Sequence, residues 1–374
     1  MEINSPVLFS PFVIDGMREN VTPAQILGGV SAYPAAAASG EEYPPMVDET
    51  PDVDPAPVRL DPRKIEKYLS AILKAERQIP MAFAGPYTSG RIAAALIDCI
   101  WKLGHFRLGD LALDIDWKWN NLQVGNMAGF YRSVEAAGEM LDALNIQLRS
   151  YSCRRTEDSC RLEVSADIRP SADEEDLVEQ PFTTRNPHLG AASISNSFQP
   201  DESSWIVYIP FDSSQYRLGG SLLAQTQGVN PPTAPQVDDA DYFIDCYEVV
   251  RELVEDGIVL AGMSVGEGGL LSALKRMAGS RTGAVLDLSD LRRAHPEPDI
   301  VSLLFAEVPG VVIQIRDIDF DYIDAELLLQ DVAFYPLGHP CSNGGAGRVK
   351  SSAKTGIQSI LESLVQRQGG EGED

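Results

Sequence analysis

The chain has 374 residues, 44% of them hydrophobic, with 55 acidic against 30 basic side chains and a formal net charge of −25 at pH 7. That length exceeds a single ordinary core and predicts roughly two domains of about 150 residues each. The acidity excludes nucleic acid as a partner, because phosphate backbones are met by concentrated Lys and Arg. No apolar run reaches the roughly 18 residues of a membrane span. Glu2 stands where a secretory signal would be basic, so a cytoplasmic chain with no membrane contact is expected. The five cysteines (Cys99, Cys153, Cys160, Cys246 and Cys341) are irregularly spaced without a Cys-x-x-Cys pair, and are read as structural thiols rather than disulfides or metal ligands.

Residues 1–60 open apolar and pass into a Pro- and acid-rich stretch from Tyr33 to Pro62, expected to be extended or loop. A helix should follow, with Asp61 as N-cap, Pro62 in its first turn, an apolar stripe of Ile65, Leu69, Ile72 and Leu73, and a stop before Pro80. A second helix is predicted from about Ser89-Gly90, with Ile92, Leu96, Cys99, Ile100 and Leu103 inward and Gly104 past its end. Leu111 to Trp119 reads as a strand, Phe130 to Leu144 as a helix and residues 161–168 as an alternating strand. Residues 170–187 are charged and Pro-containing, a loop or a crossing between domains. Ala192 to Phe198 and Trp205 to Ile209 look like two paired strands.

Asp239 to Glu255 has the strongest helical period, with Phe243, Tyr247, Val250 and Val254 on one face and Gly257 at the end. Ile258 to Met263 should be a buried strand, followed by Gly268-Gly269 and a helix from Leu270 to Ala278. Val311 to Ile315 and Asp319 to Gln330 read as a strand and a helix. The alternation indicates α/β to α+β. The tail from Ser342 is Gly-, Ser- and charge-rich, with a short amphipathic helix expected at Ile357 to Leu364.

Three glycine-rich segments invite chemistry. Gly219, Gly220 and Ser221 open an apolar helix and could offer backbone N–H groups to an anion, or form a tight turn. Gly268 and Gly269 lie where a buried strand enters a helix, a common place for active-site groups. Glu267, the one acid of that turn, could hold a divalent ion or complement the helix N-terminus. Gly344 to Arg348 lacks phosphate-loop spacing and reads as linker. The four histidines, His105, His188, His295 and His339, show no nucleophile–base spacing, and no catalytic residue is identified.

The runs YRLGGSLLAQTQG (216–228), DDADYFIDCYEVVRELVEDG (238–257) and IVLAGMSVGEGGLLSALKRMA (258–278) follow one another closely. LLFAEVPGVVIQIR (303–316) comes after them, while SGRIAAALIDCIWKL, GFYRSVEAAGEMLDALNIQL and AASISNSF come before. In this order the set resembles the second aminoimidazole-ribonucleotide-synthetase-like half of large-type phosphoribosylformylglycinamidine synthases, over about residues 80 to 338. That resemblance implies a two-subdomain synthetase-like fold, with an N-terminal sheet that builds a barrel with a partner half and a C-terminal α+β subdomain. The division expected is an N-terminal extension and linker at 1–60, subdomains at 61–187 and 188–340, and a flexible tail at 341–374.

Members of that family convert formylglycinamide ribonucleotide, ATP and glutamine-derived ammonia into the amidine. The resemblance therefore implies ATP or ADP with Mg²⁺. It also implies association with itself or a second synthetase-like half, and a glutaminase subunit as a further partner. Gly219, Gly220, Ser221, Gly268 and Gly269 would be the nucleotide or phosphate candidates, and Glu267 and Glu307 the metal candidates. The catalytic loops depart from the pattern. Where the family reads His-Asp-x-Ser-Asp-Gly-Gly, this chain has Met263, Ser264, Val265, Gly266, Glu267, Gly268 and Gly269. Where the family has Gly-Lys-Asp-Ser-Met-Ser-Met, it has Arg149, Ser150, Tyr151, Ser152 and Cys153. The expectation is a structural or auxiliary-nucleotide half that needs a partner for catalysis. The alternatives are a non-catalytic binding or scaffold protein on the same fold and a divergent stand-alone superfamily member.

Overall fold

The computed structural model describes residues 6–34, 43–51, 59–102, 106–169, 193–212, 215–278 and 282–342. The 170–187 crossing, Gly104, the Gly344–Arg348 linker and the helix at Ile357–Leu364 lie outside them. Near the amino end, Phe12–Ile14 (β1) and Met17–Arg18 (β2) form a hairpin around Asp15-Gly16, both at positive φ, as a two-residue Asp-Gly turn requires. Pro23–Val30 (α1) starts on a Thr22/Gln25 capping box with Pro23 inside it. Met46–Asp48 (β3) then pairs parallel with β1. Phe12, Ile14 and Leu27 from these elements, and Leu8 from the 3₁₀ turn Pro6–Leu8 before them, are buried in the same core as the helices that follow.

Asp61 accepts from the Arg63 N–H and starts a short 3₁₀ turn that runs into Ile65–Ile72 (α2). Ala84–Lys102 (α3) begins five residues before Ser89, because Pro86 fits the first turn and the Met81–Phe83 3₁₀ turn leads into it. Leu111–Trp119 (β4), Asn126–Ala143 (α4), Gln147–Arg155 (β5) and Arg161–Ile168 (β6) complete the first part of the chain. β4, α4 and β5 form a parallel βαβ unit, and β6 lies antiparallel on the other side of β4. This three-stranded sheet is open, in the order β5-β4-β6. Arg149 to Cys153 is therefore strand rather than loop. Its outward side chains reach across to β4, Arg149 and Ser150 to Asp114, and Ser152 and Arg154 to Asp116. Such charged cross-strand pairs give no apolar alternation, so the strand is hidden from hydrophobic patterning.

The N-terminus of α4 is closed by a carboxylate from β3. Asp48 accepts from the N–H groups of Gly125 (2.8 Å), Met127 (2.7 Å) and Ala128 (3.1 Å). Asp48→Ala should cost about 1–2 kcal/mol in chemical denaturation, the upper range for a lost cap. A loss under about 0.3 kcal/mol would mean that water satisfies those N–H groups equally well.

The second part carries Trp205–Pro210 (β7), Leu222–Gln227 (α5), Ala240–Glu255 (α6), Val259–Val265 (β8), Gly269–Met277 (α7) and Thr282–Leu286 (β9). Ser289–Ala294 (α8), Ile300–Phe305 (α9), Gly310–Ile315 (β10), Phe320–Leu329 (α10) and Tyr335–Ser342 (β11) follow. Five of these strands form one antiparallel sheet in the order β8-β10-β7-β11-β9. Both faces are covered. Val207, Ile209, Val311 and Ile313 join the core that holds α6 and α3, while Ile206, Tyr208 and Val312 face the core built with α2, α5, α7 and α9. The period of two thus divides one apolar run between two cores.

Among the described residues 193–198, the expected pairing of Ala192–Phe198 with β7 is not found. Ser195 makes an isolated bridge to Ala261, whereas β7 is flanked by β10 and β11. An inner strand with apolar residues on both faces bonds to whichever strands cover it, so adjacency in sequence was a poor guide. Strand β11 was not foreseen at all, because Pro336 and Pro340 argue against an inner strand. A register shift between Pro336 and Gly338 accommodates the first.

Candidate functional site

A cleft enclosing about 610 Å³, part of it open to solvent, lies between α3 and the loops at the end of the five-stranded sheet. Its walls include Pro80, Phe83, Pro86 and Tyr87 on one side and Pro235 and Pro309 on the other, with Arg77, Arg91, Glu267 and Glu307 among its polar residues. Gly219, Gly220, Gly266, Glu267 and Glu307 all line it, so segments far apart in sequence meet here.

Glu307 is fully engaged. One carboxylate oxygen accepts from the N–H of Leu222 (2.8 Å) and of Gly268 (2.9 Å), and the other pairs with Arg77 Nη2 at 2.6 Å. It thereby closes the N-termini of both α5 and α7, where exposed N–H groups would otherwise attract an anion. Glu267 takes Arg91 Nη1 at 2.9 Å and lies 3.8 Å from Arg77 Nη1. Arg77, whose side chain is only 12% exposed, stacks 4.6 Å from the centre of the Tyr87 ring. Burial alone would lower its pKa, but the charges of Glu307 and Glu267 outweigh this and raise it above the ordinary guanidinium value. Burial pushes the Tyr87 phenol up.

The glycines are explained by close packing. A Cβ on Gly219 would stand 2.4 Å from the Thr233 carbonyl oxygen, and its own N–H donates to that oxygen at 2.7 Å. Gly269 combines φ +71° with backbone of Phe305 at 2.6 Å from the position of a Cβ. Gly220 lies against Phe83 and Pro80, and Gly268 against Ser272 and Ile72. Ser221 is the buried N-cap of α5, accepting from the Ala224 N–H at 3.2 Å and donating to the Leu218 carbonyl.

At the departure from the family turn, Ser264 donates to Asp98 at 2.6 Å and accepts from Trp101 Nε1 at 3.0 Å. This joins β8 to α3, and Trp101 packs over Gly262 where a Cβ would meet its ring at 2.5 Å. Sequence patterning missed Arg77, Arg91 and Tyr87 as parts of the site, and no local motif marks them. Cys153 in β5 and Cys160 just before β6 are buried thiols away from the cleft, and burial pushes the Cys153 thiol up to about 12. His295 meets the Tyr335 hydroxyl at 3.1 Å and His339 the Ser204 carbonyl, and neither lines the cleft.

Mg²⁺ held by protein carboxylates needs oxygens open to it. Both oxygens of Glu307 are occupied and Oε1 of Glu267 is paired with guanidinium, so the two carboxylates leave one open oxygen, too few to hold a resident divalent ion by themselves. Among the described residues no group of three His, Cys, Asp or Glu side chains converges as metal ligands. Among them, too, no helix is long and apolar enough to cross a membrane.

Residues 213–317 match the family model of the AIR synthase related protein, C-terminal domain, which covers the cleft loops and strands β8, β9 and β10. Over these residues the chain is similar to AIR-synthase-related proteins. It is related in particular to phosphoribosylformylglycinamidine synthase: the Homo sapiens enzyme is 23% identical over 320 residues, or 85% of this chain. The chain spans only 23% of that relative's length. Among solved structures, T. maritima PurL complexed with FGAR superposes with a TM-score of 0.51 at 12% identity, over 71% of this chain and 41% of that one. PurLQS from Thermotoga maritima gives 0.47 at 14% identity, over 69% and 38%.

Proposed function

We propose that this chain is a structural, nucleotide-holding half of an assembly that converts formylglycinamide ribonucleotide to its amidine with ATP and ammonia, and that a partner performs the bond-making. The observation that carries this is the state of the two cleft carboxylates, Glu267 and Glu307. Each is held by arginine, and Glu307 also closes two helix N-termini. Met263, Ser264 and Gly266 replace the family's His, Asp and Ser in the turn, and its one remaining acid, Glu267, is held by Arg91. The open sheet β5-β4-β6 provides the surface for a second synthetase-like half or another copy of the chain, and a glutaminase subunit would supply ammonia. ATP or ADP is the ligand assigned to the cleft on the strength of the relationship to phosphoribosylformylglycinamidine synthase.

The purified chain should form no amidine from formylglycinamide ribonucleotide, ATP, Mg²⁺ and ammonium. Turnover by the chain alone, above a no-protein control, would overturn the non-catalytic part of this reading. A second reading, a scaffold that binds no nucleotide, is favoured by glycines occupied in packing and by helix ends occupied by Glu307. The two part on whether ADP or ATP raises the melting temperature.

A further inference from the structure

The arginines that occupy the cleft carboxylates change what the cleft can hold. In a metal-dependent phosphate site, an ion sits between acidic side chains and the phosphate oxygens, and the protein presents oxygen. Here Glu307 and one oxygen of Glu267 are taken by guanidinium, and the cleft presents Arg91 beside them. Arg91 lines the cleft with its side chain one-third exposed, and Nη1 of its head group pairs with Glu267. Arg77 lies deeper, spending Nη2 on Glu307 and, at 3.5 Å, on the Gly220 carbonyl. A guanidinium carries about five N–H donors, more than these partners accept. The Nε atoms of both are shut from solvent and unpaired among the described residues, so the donors left to a ligand in the cleft are on the Nη atoms, of which Arg91 Nη2 has no partner among those residues. Two under-satisfied guanidinium groups beside apolar walls of proline, Phe83 and Tyr87 match a ligand with an anionic end and a flat apolar body.

We infer that the cleft holds the phosphate end of its ligand directly on Arg91, backed by Arg77, and requires no divalent cation to do so. The inference rests on the nucleotide-cleft reading above and adds how the phosphate is held. Mg²⁺ added to this site would lie beside two cations already within 4 Å of Glu267, so it competes with the arginines rather than bridging to them. Glu267 then acts as the holder of Arg91, and its removal frees the guanidinium.

The test is calorimetric titration of the full chain with ADP, once in EDTA and once in excess MgCl₂. ADP should bind in EDTA at least as tightly as in MgCl₂. Arg91→Met should weaken binding in EDTA tenfold or more, with an unchanged melting temperature showing that the variant is folded. Glu267→Gln should tighten binding in EDTA several-fold, whereas a carboxylate that holds a metal would make the same change weaken binding in MgCl₂. Binding seen only in MgCl₂, or weakened by Glu267→Gln, overturns the inference and leaves the nucleotide reading standing. No binding in either buffer overturns both.

Discussion

Replacing Arg77 by methionine is expected to destabilise the protein by roughly 3 kcal/mol, near the lower end of the range for breaking a buried ion pair. The Glu307 side chain is only 11% exposed and Arg77 only 12%, so neither partner regains water when the other is lost. The cost stays at the lower end because Leu222 and Gly268 still donate to the carboxylate left behind. Methionine keeps apolar length over Tyr87, so most of the loss should report charge rather than packing. Urea denaturation of the single variant and of Arg77→Met/Glu307→Gln separates the two. Glu307→Gln keeps an oxygen for the two N–H groups and removes the stranded charge, so the double variant should recover at least half of the loss. If Arg77→Met costs under about 1 kcal/mol, the pair behaves as a surface ion pair and the reading of Glu307 as a buried, fully engaged carboxylate fails.

The second large effect concerns Gly269. Alanine there must adopt φ +71° and place a Cβ 2.6 Å from the backbone of Phe305, at the junction of α7 and α9. Left-handed backbone alone costs a non-glycine residue roughly 1–2 kcal/mol, and overpacking against immobile backbone adds about 1–3 kcal/mol. Gly228 is the matched control, with φ +61° and nothing within 4 Å of a Cβ. Gly228→Ala should therefore lose about 1 kcal/mol, and Gly269→Ala at least about 2 kcal/mol more, measured by denaturant midpoints. Equal losses would mean that α7 and α9 yield easily. The Gly-Gly pair would then lack a packing explanation, and an anion-binding role would regain weight.

Much of the architecture was legible because its elements carry their own signals. β4 and β6 were located to the residue, and α6 to within one, since alternation, helical period and the Asp239 cap are local features. The resemblance to phosphoribosylformylglycinamidine synthase rested on segments kept in order, and the match at residues 213–317 with the 23% identity over 320 residues bears out that family resemblance. Other elements were invisible for physical reasons. β5 exchanges apolar alternation for ion pairs with Asp114 and Asp116, and β11 carries two prolines that its neighbours in the sheet tolerate. Burial would raise the Asp114 carboxyl, but hydrogen bonds from Arg149 and Ser150 outweigh it and hold it below the ordinary carboxylate range.

The candidate site divided in the same way. By itself the sequence determined that glycines flank the turn after β8, that Glu267 is its one acid, and that the family's His and first Asp are absent. It could not say what the acids do, because their partners stand 176 and 230 positions away, from residue 91 to 267 and from 77 to 307. Only the tertiary structure brought Arg91 to Glu267 and Arg77 to Glu307, and only it placed Thr233 and Phe305 against the glycines. Local patterns are set by backbone geometry and short-range burial, which a sequence displays directly. Charge pairing across a cleft is set by the packing of α3 against the sheet, which fixes which acids keep an open oxygen and which are already spent.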